Sequence, residues 1–211
     1  MYLPRAFAEH DLEALDGLAQ RDRFITLITV RGGEPTVSHL PGLYPREGGN
    51  VGLSGHWGKP NPQAGHAGPA LAIFHGPHAY VSPGWYPDKE EAARVPTWNY
   101  AVAHLRGTLS TFDDDRALAD VVDGLSAENE AAIGSDWRFE FERDDHRRQL
   151  RGIVGFRFVA DEITLKFKLS QNHPMANRES AASKLEAQSR DASRETAALM
   201  RERMAIESNG D

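Results

Sequence analysis

The residues best suited to chemistry stand in the run Ser54-Gly55-His56-Trp57-Gly58-Lys59-Pro60-Asn61-Pro62, where imidazole, ammonium and amide donors are set among glycines. Glycine lets a ligand approach the backbone closely, and this mixture of donors suits an oxyanion such as phosphate. The run is not a P-loop, since GxxxxGK[ST] is absent, and no GxGxxG occurs anywhere in the chain. A polar, Gly-rich surface loop with a solvated lysine has the same composition without any ligand. A second group, FHGPHAYVSP at residues 74–83, places His75 and His78 three apart, with His56 and His66 upstream. The pair crosses a Gly-Pro break, and neither an HExxH helix nor a nearby carboxylate completes a ligand set, so hydrogen bonding or packing is expected and a metal site is not.

A third group, VPTWNY at residues 95–100, brings a hydroxyl, an amide and two aromatic rings together. Such groups can face a planar heterocycle and bond its edge, although rings of this kind also serve as core packing. The fourth, KFKLSQN at residues 166–172, puts Lys166 and Lys168 on one strand face and Phe167 and Leu169 on the other, the alternation of an amphipathic barrel strand that needs no function. A nucleophilic triad finds no support, because GxSxG is absent. The acidic runs at residues 113–115 and 140–145 read as solvated faces or a helix N-terminus.

The elements that must carry these groups are mostly short strands. Residues 23–30 (RFITLITV) and 36–40 (TVSHL) flank a Gly-Gly turn and predict a hairpin, and residues 51–57 predict a further strand. The following GKPNPQAGHAGP is too rich in Gly and Pro for regular structure. Two strands are expected at residues 70–75 and 78–82, a long one at 98–111 with a bulge at Gly107, and two more at 150–159 and 162–169. Helical spacing appears in residues 12–19 after the N-cap candidate Asp11, and in residues 115–129 through Leu118, Val121, Val122 and Leu125. Residues 175–211 turn to Ala, Ser, Glu and Arg and predict an amphipathic helical tail behind a domain spanning 1–174. The helices are too few to alternate with the strands, so a mainly β, α+β fold is expected: an antiparallel barrel with helices outside it.

Composition narrows the function. The chain has 211 residues, with 24 Lys plus Arg against 31 Asp plus Glu, a formal charge of 24 − 31 = −7. Contact with nucleic acid would therefore require a local basic patch, because phosphate binding draws on a surplus of cations. The absence of cysteine excludes disulfides, thiolate zinc sites and thiol nucleophiles. No apolar run approaches the roughly 18 residues of a spanning helix and the N-terminus is too polar for a signal peptide, so a soluble cytoplasmic protein with no membrane contact is expected.

Read in order, MYLP with Phe7, SHLP, GHWGKPNPQ, IFHGPHAYVSPGWY, VPTWNY and KFKLSQN resemble the PaiB family of FMN-binding negative transcriptional regulators, over most of residues 1–174. The resemblance implies an FMN-binding split barrel, a homodimer and a flavin near the subunit interface. It places His56, Lys59 and Asn61 near the flavin phosphate and ribityl chain, and offers Ser38, His39, Tyr80, Ser82, Thr97, Trp98 and Asn99 as further contacts. Residues 179–188 (ESAASKLEAQ) depart from the family pattern. Repression, directly on DNA or through a partner, is the function so implied. A flavin-dependent oxidoreductase related to pyridoxamine-phosphate oxidases is the alternative, and a haem-binding barrel using His39, His56, His75, His78 or His173 is a more remote one.

Overall fold

In the computed structural model, described for residues 1–209, the chain forms an eight-stranded sheet and five α-helices. In chain order these are β1 (Ala8–Glu9), α1 (Leu12–Arg21), β2 (Phe24–Arg31), β3 (Glu34–Pro41), β4 (Arg46–Glu47), β5 (Asn50–Gly58), β6 (Gly68–Val81), β7 (Thr97–Phe112), α2 (Asp115–Ala132), α3 (Asp144–Leu150), β8 (Ile153–Lys168), α4 (Met175–Glu186) and α5 (Asp191–Asn209). The strand order is β3-β2-β6-β7-β8-β5-β4, with β1 added to β8. The fold is the expected antiparallel split barrel with helices. No helix among the described residues is long and apolar enough to cross a membrane.

Several local expectations change. Residues 70–75 and 78–82 are not two strands but parts of the unbroken β6. Its pairing with β2 runs from Ala70 to Ile73, so Pro77, which lacks an N–H, stands beyond that ladder. The pieces expected at 150–159 and 162–169 are likewise one strand, β8, and the charged stretch before it contains α3. The Gly- and Pro-rich loop is not wholly irregular: Pro62–Gly65 form a 3₁₀ turn with Asn61 as its cap. The helical tail is two helices, and residues 210 and 211 lie outside the described residues.

The chain divides into two compact units. The first comprises Met1–Leu15, His75–Ala103 and the described residues from Thr164 onward. Here β1 pairs with the end of β8, Ala8 opposite Lys166 and Glu9 opposite Leu165. Helices α4 and α5 pack through small and flexible residues, with Ala181, Ala182, Leu185, Ala197 and Met200 buried. Arg203 on α5 bonds the Glu9 carboxylate, Asn177 donates to Asp88 at 2.7 Å, and the Ser180 hydroxyl donates to the Trp85 carbonyl at 2.6 Å.

The second unit comprises Asp16–Phe74 and His104–Ile163. Strands β2 and β3 pair from Phe24 opposite Pro41 to Arg31 opposite Glu34, leaving a two-residue turn. Gly32 and Gly33 have φ of 60° and 87°, the left-handed pair that a hairpin matching the strand twist demands. The chain leaving β3 returns to β5, where Leu43 and Ser54 exchange backbone hydrogen bonds of 2.8 and 3.1 Å. Inward residues Val51, Leu53, Trp57, Phe156 and Phe158 are buried in this unit. Helices α2 and α3 share a separate cluster of Leu118, Ala119 and Leu150 with Phe112, Val122, Phe139 and Phe141. The Asp114 carboxylate accepts from the Ala117 N–H at 2.9 Å and caps α2.

Candidate functional site

The residues expected around a ligand fall in two groups, five in each unit. In the second unit, Ser38, His39, His56, Lys59 and Asn61 lie on β3, β5 and the segment after β5. Asn61 turns both ends of its amide to the fold: Oδ1 accepts from the Gln63 N–H at 2.9 Å, and Nδ2 donates to the buried Ser38 hydroxyl at 3.0 Å. His39 projects to the other face of the hairpin, where its Nδ1 pairs with the Thr26 hydroxyl at 3.0 Å. These contacts hold the loop and the hairpin in place.

Two groups here are not committed in that way. Lys59 is exposed and makes no side-chain hydrogen bond or ion pair among the described residues, while its backbone N–H donates to the Gly152 carbonyl at 2.8 Å. Half-buried His56 follows the inward Gly55 and precedes the inward Trp57, and its Nδ1 is buried without a partner. Burial pushes the imidazole below its ordinary pKa and favours the neutral ring. A neutral imidazole nitrogen can accept or donate according to its tautomer, so it can meet a hydroxyl of a ribityl chain. An unpaired lysine and an orphaned imidazole nitrogen fit a phosphorylated, hydroxylated ligand such as FMN.

The sequence reading missed the residue that organises this loop. Gln63, fully buried, accepts from the Trp57 indole N–H and donates to the Leu27 carbonyl, the Thr29 hydroxyl and the Thr36 carbonyl, all at 3.0–3.1 Å. Buried His66 adds a 2.7 Å bond between its Nδ1 and the Thr29 hydroxyl. Beside it opens a cavity of about 530 Å³ whose lining includes Thr29, Arg31, His66 and Arg106. Its two guanidinium groups come from Arg31, expected in the turn but ending β2, and from Arg106 on β7.

In the first unit, Tyr80, Ser82, Thr97, Trp98 and Asn99 stand on β6, the turn after it, and β7. Trp98 is half-exposed and collects its neighbours: its ring centroid lies 6.1 Å from Tyr80 in an edge-on arrangement and 6.0 Å from His78. One cavity of about 370 Å³ is lined by His75, His78, Trp98 and Tyr100, and a second of the same size by His78, Tyr80, Trp85, Trp98 and Arg190. Thr97 is bonded by Lys168, whose Nζ also donates to the Trp98 carbonyl at 2.7 Å. Ser82 caps the short turn Pro83–Trp85 by accepting from the Gly84 N–H at 3.2 Å. Asn99 points inward and is fully buried, its amide bonded to Ser170 at 2.9 and 3.1 Å and to the Met200 sulfur at 3.3 Å. Alternation along β7 separates these roles, with Trp98 and Tyr100 on the outward face and Asn99 and Ala101 inside.

Comparison with known proteins agrees with this architecture. The family model described as "Putative FMN-binding domain" matches residues 1–162. The chain is 27% identical to protease synthase and sporulation protein PAI 2 of Bacillus subtilis, over 97% of this chain and 98% of that one. Among solved structures, the FAD and heme binding protein of Mycobacterium smegmatis superposes with a TM-score of 0.55 at 18% identity, covering 76% of this chain and 73% of that chain. The flavocytochrome Anf3 of Azotobacter vinelandii gives 0.53 at 16% identity, covering 79% and 72%. At such identities the two structures attest the fold.

Proposed function

The chain belongs to the FMN-binding family whose model it matches, and on that premise we propose that it binds FMN as a cytoplasmic split-barrel homodimer and acts as a flavin-dependent negative regulator of transcription. The observation that carries the cofactor assignment is Lys59, a cation with no carboxylate partner among the described residues, in the same unit as the Nδ1 of His56, likewise unpartnered among them. Lys59 supplies the charge that offsets a phosphate, and His56 meets the hydroxylated chain. Asn61 acts mainly by fixing the loop that carries Lys59, since both ends of its amide are already bonded. His39, Tyr80, Ser82, Thr97 and Trp98 are further candidates for flavin contacts, whereas buried Asn99 and Ser38 are engaged with Ser170 and Asn61 inside the fold. A bound flavin supplies the redox chemistry, which the protein tunes through hydrogen bonds and burial.

The near full-length similarity to a protein named for protease synthesis and sporulation supports a regulatory reading. Charge supports a route through a protein partner rather than direct DNA binding. The net charge is −7, and the arginines 138, 143, 147, 194 and 201 are paired with carboxylates.

Titration of the flavin-free protein with FMN, followed by flavin fluorescence and the visible spectrum, tests the cofactor assignment. A saturable 1:1 change is expected, and failure to bind added FMN overturns it. Light scattering behind gel filtration tests the dimer, for which a mass near twice 23.3 kDa is expected. A sequence-dependent gel shift at low salt by the protein alone would replace the partner route with direct repression.

A further inference from the structure

Lys166 and Lys168 project from one face of β8, two residues apart, and the fold keeps both from solvent to an unusual degree for lysine. Lys166 is only 8% exposed. Its ammonium donates to the Tyr2 carbonyl at 3.0 Å and lies 5.5 and 5.4 Å from the ring centres of Tyr2 and Tyr100. Lys168 is half-buried, donates to the Thr97 hydroxyl and the Trp98 carbonyl, and lies 6.0 Å from the Phe7 ring centre. Among the described residues every acceptor is a carbonyl, a hydroxyl or a π face, and no carboxylate bonds either lysine. The nearest carboxylate in the register, Glu9 opposite Leu165, is taken by Arg203 and by the N–H groups of His10 and Asp11.

Two like charges drawn out of water without a counterion oppose each other and lose hydration, and an anion placed between them removes both penalties. Lys168 registers the deficit: burial first, and then the charge of Lys166, push it below its ordinary pKa, with no acid acting in the other direction. A cavity of about 370 Å³ is lined by Trp98 and Tyr100, the residues whose carbonyl and ring the two ammonium groups meet.

We propose that Lys166, Lys168 and the Thr97 hydroxyl form a second oxyanion site, confined to the first unit, that takes the phosphate or carboxylate group of a small ligand. The site stands independently of the flavin assignment to Lys59. Each ammonium keeps at least one N–H for the anion, and the threonine hydroxyl can donate while it accepts from Lys168.

Inorganic phosphate is the probe, titrated calorimetrically into the full-length protein at low ionic strength, once flavin-free and once saturated with FMN. With FMN filling the Lys59 site, one phosphate per chain is expected to bind, about tenfold or more weakly in Lys168→Gln, and unchanged in the exposed Lys184→Gln. In chloride, Lys168→Gln is expected to melt no lower than the parent, because it relieves the like-charge contact while keeping a donor to the Trp98 carbonyl. Phosphate is then expected to raise the melting temperature of the parent and not of the variant. Equal affinity with and without FMN is expected, as for a separate anionic ligand, and competition by FMN but not by riboflavin would make this the flavin-phosphate site and overturn it as a second one. Absence of phosphate binding, or binding equally tight in Lys168→Gln, overturns it. Should that variant fold poorly, Lys166→Arg serves in its place and must retain phosphate binding.

Discussion

The indole N–H of Trp57 donates to the side-chain oxygen of Gln63 at 3.1 Å, with both residues buried. That bond fastens the end of β5 to the turn after it, and the Gln63 nitrogen then fastens the same turn to β2 and to the Thr36 carbonyl. Gln63→Leu keeps the volume but strands the Trp57 N–H and the Leu27 and Thr36 acceptors. A loss of about 3 kcal/mol in urea unfolding is expected, because an unpaired buried polar group costs about 1–3 kcal/mol. A loss below about 1 kcal/mol would show that water replaces the amide.

Lys59 carries none of that load. Lys59→Ala is expected to change stability by no more than about 0.5 kcal/mol, as exposed substitutions do. It should raise the dissociation constant for FMN about tenfold, the worth of one charge-assisted hydrogen bond. Fluorescence titration beside a melting curve separates the two effects, and unchanged affinity removes Lys59 from the site.

The His56 ring sets a pH dependence whose sign follows from its burial. Its folded pKa lies below the ordinary value of about 6.5, so the unfolded chain takes up the proton first as pH falls. The stability it contributes is full above about pH 6.5 and is lost as pH drops from there toward the folded pKa. His173, also lowered chiefly by burial, adds to the same slope. His56→Gln is therefore expected to flatten, without abolishing, the fall in stability between about pH 7 and 5 measured by urea unfolding. An unaltered slope would mean that His56 titrates normally in the folded protein.

Gly107 is buried on β7, and a Cβ built there would overlap the Val159 carbonyl oxygen and crowd the Phe158 ring. Gly107→Ala is expected to cost about 3 kcal/mol or to block folding, since the obstacle is backbone that cannot step aside. A soluble variant with the parent's melting temperature would refute that close approach.

Asn99 serves the interior of its unit. Asn99→Ala leaves the Ser170 hydroxyl, 2% exposed, without its amide partner, and a loss of about 2 kcal/mol is expected in chemical denaturation. The position of Ser170 sharpens the effect, because its φ of 67° is one that few residues other than glycine adopt without support.

What the sequence disclosed follows from the range of the interactions concerned. Helix α2 was readable because Leu118, Val121 and Leu125 repeat on one face, and all three are buried. The β2–β3 hairpin was readable because its Gly-Gly turn is a local signal. The Gly76-Pro77 pair resembled a break because local propensity ignores which neighbouring strand is present, and β6 continues where its β2 partner has ended. At the site, type and spacing singled out Lys59 and His56. They could not show that Asn61 and Gln63 spend their amides on the hairpin, since those bonds join residues 23 to 36 positions apart. The KFKL alternation foretold a strand correctly, yet Lys166 is buried because of Tyr2, which lies 164 residues away in the chain.

The bond between Arg203 and Glu9 joins residues 194 positions apart, nearly the full span of the chain. Unit two lies wholly within residues 16–163, so a ribosome has made all of it before the last piece of unit one emerges. Unit one must wait for α5, leaving Glu9 and the Asn99 amide without their final partners through most of synthesis. During that interval the nascent chain's hazard lies in the parts of unit one already made, and a stop codon ahead of residue 200 would make the hazard permanent.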